Sequence, residues 1–175
     1  GATEAVAVGR ASRVLADIAV EERAFAGKGG RRLSDTLMGA SLVATELATL
    51  AQWGATYRVR KGERAFAAGT PTDDLMVVLS GRLNLCAAGD VRLGQHVSAG
   101  EDLAPWALFD DATHPVAAIA EGDCEIFAVS RELLLEHFDR GHPVARKVVA
   151  HISRQVVSVL RMANFRLRER VALEQ

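Results

Sequence analysis

A chain of 175 residues, 49% hydrophobic and 25% charged, is globular and long enough to bury one continuous core. A net charge of −1 gives no electrostatic pull towards nucleic acid or an anionic membrane, so direct nucleic-acid binding by this chain is not expected. Cys86 and Cys124 lie in apolar runs without metal or redox spacing and read as free thiols of a reducing cytoplasm, and no apolar run reaches the ~18 residues of a membrane span.

Residues 2–26 are Ala-rich, and Ala11, Val14, Leu15 and Ile18 follow the spacing of one helix face, with Phe25 extending it. Lys28-Gly29-Gly30-Arg31-Arg32 then breaks the pattern and reads as a hinge. Ser34 or Asp35 is expected to cap a second helix running to about Trp53, with Val43, Leu47 and Leu50 on one face, Met38 and Leu42 beside it and Gly54 ending it. Residues 1–55 are therefore expected to form an N-terminal helical segment.

From Thr56 the period changes to two. Tyr57 and Val59 alternate with Arg58 and Arg60, and Lys61-Gly62-Glu63 turns the chain into Arg64-Ala65-Phe66-Ala67. Gly69, Pro71 and Asp73 make a turn before Leu75 to Leu79, which is apolar on both faces and belongs inside a sandwich or barrel. Ser80-Gly81 turns into Arg82-Leu83-Asn84-Leu85. A hairpin loop at Ala87-Ala88-Gly89-Asp90 leads to a strand over 91–97, and further strands are expected over 115–120 and 124–129.

The run Gly69, Asp73, Leu75, Val77, Val78, Leu79, Ser80, Gly81, with the Lys61-Gly62-Glu63 turn before it and Gly100 after it, resembles the cyclic-nucleotide-binding domain of catabolite-activator-type regulators. Met76 stands where that family usually has Tyr or Phe. The resemblance implies a mainly β fold with flanking helices: a double-stranded β-helix or jelly roll over residues 56–130, followed by C-terminal helices over 131–175. Ser130 is expected to cap the first of these, with Leu134 and Phe138 on its buried side. In the last, over 143–170, Ala145, Val149, Ile152, Val156, Val159 and Ala163 step by four and three, the seam of a short coiled coil. One helix's pattern does not separate packing on the roll from pairing of two subunits. The resemblance favours a homodimer, with Val149, Ile152, Val156, Val159 and Ala163 as its interface.

The family's phosphate-binding cassette falls on residues 100–120, with Leu103, Ala104, Pro105, Trp106, Ala107, His114, Pro115, Val116 and Ala117 as the candidate pocket. A cyclic phosphate diester needs a cationic fork and helix-start amides, and its sugar needs an acceptor. The family supplies Gly-Glu-x-Ala-Leu and, further on, Arg-x-Ala. Here Ala104 replaces the Gly and Pro105 the Glu, while Ala107-Leu108 matches. Counting back from Ala117 and Ile119 puts Pro115 at the arginine, and counting from the helix side puts His114 near it. Losing a desolvated phosphate partner costs about 3 to 5 kcal/mol, so cyclic nucleotide is not expected to bind. Trp106 either floors a pocket for a planar ligand or fills the nucleotide's volume, and the small residues around it favour filling.

No catalytic constellation, metal set or cofactor motif is present: His96 stands alone where a metal-binding relative of the roll would need paired histidines, and haem ligation finds no Cys/His spacing. The expectation is a non-enzymatic regulatory module, cytoplasmic, homodimeric, with a protein partner as its target. The alternative is a small-ligand sensor domain of an activator-type regulator lacking its DNA-binding domain.

Overall fold

The computed structural model describes residues 33–109 and 113–173, so the helix expected over 2–26 and the hinge after it lie outside the described residues. The second helix starts later than the caps suggested. Leu33–Asp35 is a single 3-10 turn, closed by Thr36, whose hydroxyl donates to Leu33 O and accepts from the Gly39 amide. A Cβ on Gly39 would stand 1.9 Å from Leu33 O, so the chain folds back on itself here and cannot continue as helix. Helix α1 is Ala44–Trp53. Val43 precedes it, 60% exposed, its amide donating to the Glu46 carboxylate, and it does not share a buried face with Leu50 as expected. Met38 and Leu42 are buried from the preceding turns.

Seven strands follow: β1 Gly54–Val59, β2 Arg64–Phe66, β3 Asp74–Ser80, β4 Arg82–Ala87, β5 Val91–Ser98, β6 Ala117–Ala120 and β7 Cys124–Ser130. They form two antiparallel sheets, β1-β7-β3 and β2-β6-β4-β5. This is the β-roll with flanking helices that the family resemblance implied. Leu75 to Leu79 are all buried, as a strand apolar on both faces requires. Opposite them in the second sheet, Leu83 pairs with Ala120 and Leu85 with Ala118, turning these residues to one face of the sheet. Gly81 makes the β3–β4 turn with φ +84°, and a Cβ there would lie 2.6 Å from Cys124 Sγ, so both the conformation and the close approach call for glycine. The strand expected from Pro115 begins only at Ala117, because 115–116 is a bend.

Ser130 caps α2, Arg131–Asp139, by accepting from the Leu133 amide. Leu134 is buried, but Phe138, expected beside it, is 37% exposed. The last helix, α3, is Pro143–Leu173. Its first half packs on the chain's own roll: Ala145, Val148 and Ile152 are essentially fully buried, and Val149 and Val156 pack partly buried against the same core. Ile152 is thus consumed by intramolecular packing and drops out of the proposed subunit interface. The side chains of Val159 and Ala163 lie outside the described ones. No described helix is long and apolar enough to cross a membrane.

Candidate functional site

The cassette begins as an added strand on the free edge of β3. The Gly100 and Leu103 amides donate to Val78 O and Met76 O, and Val78 N–H donates to Glu101 O. A 3-10 turn, Pro105–Leu108, follows; proline suits its first position because no amide is needed there. Arg131, at the start of α2, fixes the far end of this turn by donating to the carbonyls of Ala107, Phe109 and Thr72.

After residues 110–112 the chain re-enters against the β2–β3 loop, where the His114 amide donates to Thr70 O and Gly69 N–H donates to His114 O. This anchoring sets the direction of the next side chains. His114 is 3% exposed and stacks face to face on Phe66, with ring centroids 3.8 Å apart and planes 9° from parallel. Trp106 stands perpendicular to Phe66 at 6.2 Å and donates its indole N–H to His114 Nδ1 at 3.2 Å. Three rings from three separate segments thus close on one another inside the cassette. Pro115, the other candidate for the arginine position, is exposed. Leu103, Ala104, Pro105, Ala107 and Ala117 are buried, Val116 packs partly buried against the core, and Trp106 is itself partly buried.

The electrostatics follow from this packing. Burial lowers the His114 pKa from 6.5 to about 4, so the ring is neutral at pH 7. Its Nδ1 lone pair is already occupied by the indole N–H, and a proton there would set two donors against each other. A neutral, stacked imidazole offers no cationic fork to a phosphate. It also makes stability depend on pH. The unfolded chain takes up this proton below about pH 6.5 and the folded one only near 4, so the contribution is complete above about 6.5 and is lost as pH falls towards 4. Urea unfolding at pH 7.5 and 4.5 is expected to show a loss on the order of 2 kcal/mol that His114→Gln removes.

A second buried polar contact ties the cassette to α3. Asp102 Oδ2 lies 2.6 Å from His151 Nε2, with side chains 4% and 8% exposed, while Asp102 Oδ1 is buried without a partner among the described residues. Sequence reading missed this pair and also missed Phe66 and Arg131. Phe66 was visible only as the apolar member of a short alternating strand, and nothing in its own segment points to residues 106 and 114. Among the described residues no group of three or more His, Cys, Asp or Glu is placed to hold a metal ion, and His96 instead pairs with Glu121 at 3.0 Å.

The fold and the cassette geometry define a cyclic-nucleotide-binding type of β-roll, and the family model for the cyclic nucleotide-binding domain matches residues 56–140. Those residues belong to that family. Among solved structures, a cyclic nucleotide-binding domain from Methylobacillus flagellatus is similar at 15% identity and TM-score 0.67, over 79% of this chain and 83% of that one. The catabolite activator protein of Thermus thermophilus is similar at 22% identity and TM-score 0.65, over 76% of this chain and 62% of that one. The N-terminal domain of a Streptomyces coelicolor transcriptional regulator is similar at 20% identity and TM-score 0.60, over 75% and 94%. At these identities the likeness is one of fold. No curated protein matches the chain.

Proposed function

We propose that this chain is a non-enzymatic regulatory or protein-interaction module, built on a cyclic-nucleotide-binding-like roll whose cassette no longer takes cyclic nucleotide. The observation that carries this reading is the Trp106–His114–Phe66 cluster, which fills the cassette with neutral rings. Pro105 supplies neither a carboxylate for a sugar hydroxyl nor a backbone N–H. Binding would therefore require both a new cation and expulsion of packed aromatic rings. Calorimetric titration with cyclic AMP and cyclic GMP is expected to give dissociation constants no tighter than about 100 μM. A value at or below ~1 μM, about 8.2 kcal/mol of binding, would overturn the reading in favour of a nucleotide sensor.

The family relatives are regulatory domains, and this supports a signalling role exercised through protein contacts. A 31-residue α3 is about 46 Å long, and its heptad pattern runs on through Val156, Val159 and Ala163 after the buried residues 144–152. This supports homodimerisation through the distal part of the helix. Light scattering is expected to give the mass of two chains, halved by Val159→Asp with the β-sheet signal retained. An unchanged mass would remove α3 from the interface.

A further inference from the structure

We propose that the outer face of the four-stranded sheet carries a separate site for a small organic dianion, a molecule with an acidic group at each end of a short apolar stem. A cavity of about 480 Å³ opens there, against the roughly 300 to 1,000 Å³ common for small-molecule sites. Its floor comes from the strand register. Leu83 and Leu85 turn to the interior with Ala120 and Ala118, so Asn84 and Ile119, paired with each other, turn outward into the cavity. Asn84 is only 7% exposed, while half-buried Ile119 offers apolar surface beside it.

Charge bookkeeping around the rim decides the sign of the ligand. Two carboxylates line the cavity, and each is already matched: Asp90 takes both oxygens to Arg64 at 2.5 Å, and Glu121 is held by Arg82 at 2.5 Å and His96 at 3.0 Å. Two cations line it as well, Lys61 and Arg92, and neither side chain forms an ion pair with a carboxylate among the described residues, although the Lys61 backbone N–H donates to Asp123 Oδ1 at 3.2 Å. In a chain of net charge −1, this is a local excess of positive charge over a partly apolar floor.

The placement of the two cations gives the ligand its shape. Lys61 lies in the β1–β2 turn beside Ala120, where Gly62 N–H donates to Ala120 O. Arg92 is on β5 and pairs with Cys86, itself paired with Ala117. Between them run three residues along β6, about 10 Å, and three strand spacings across the sheet, about 14 Å. Cations entering from opposite corners suit an elongated molecule with two acidic ends better than a compact single anion.

The test uses the full chain, ¹⁵N-labelled and titrated with adipate, with hexanoate as the single-acid molecule of equal length and with inorganic phosphate as a compact anion. Adipate is expected to shift the amides of Gly62, Arg92 and Ile119 saturably, with hexanoate and phosphate each about tenfold weaker. Lys61→Gln and Arg92→Gln are each expected to weaken adipate about tenfold without lowering the melting temperature, since both side chains are exposed. The amides of Trp106 and His114 should not shift with adipate, which separates this site from the cassette. The proposal is overturned by the absence of saturable shifts at tens of millimolar adipate, by shifts centred elsewhere, by equal binding of hexanoate, or by indifference to both substitutions.

Discussion

Asp102→Ala is expected to lower the unfolding free energy by about 3 kcal/mol. The Asp102–His151 contact is buried on both sides and bridges elements 49 residues apart, so nothing local replaces it when one partner goes. Removing one member of a buried polar pair leaves the other desolvated and unmatched, typically at a cost of about 3 to 5 kcal/mol. The low end applies here because Asp102 Oδ1 already lacks a partner, and its removal relieves a penalty present in the native fold. His151→Ala should cost a similar amount, and the double variant should be much less destabilised than the sum of the two. Urea unfolding measures all three, and additive effects would show that the two side chains do not act as a pair.

Trp106→Ala is expected to cost about 3 kcal/mol, the lower end of the range for aromatic-to-alanine changes because the indole is only partly buried. Two losses combine. Phe66 and His114 lose a packed ring, and buried His114 Nδ1 loses its hydrogen-bond donor. Trp106→Phe keeps much of the packing and removes the donor alone, so it should cost about 1 kcal/mol. A melting temperature unchanged in Trp106→Ala would mean that the ring is a surface residue and the cassette is open.

The roll was legible because its strands are local signals. Glycines at 69 and 81, both at positive φ, and the wholly apolar stretch between them give turn, strand and turn within one short segment. The cassette was legible as a frame but ambiguous by one residue. Counting from β6 assigned the cation position to Pro115, whereas the bend at 115–116 delivers His114 to the interior; with side chains alternating, a one-residue error exchanges inside for outside. The partners of His114 and Asp102 come from distant segments, and no periodicity reports them. In α3 the apolar stripe showed that a face is covered without showing by what; burial of Ala145 and Ile152 within the chain answers this for the first half of the helix. The start of α1 failed for a different reason. Ser34 and Asp35 have cap chemistry, but Gly39 packs so tightly against Leu33 that a turn replaces the helix.

The central claim, that Trp106 and His114 close the cassette, is tested most directly by the emission of Trp106 in a Trp53→Phe background, with and without millimolar cyclic AMP. The closed cassette predicts blue-shifted emission, poor access to acrylamide, and no change on adding nucleotide. Readily quenched emission that shifts with cyclic AMP would contradict it and restore the cassette as a ligand pocket.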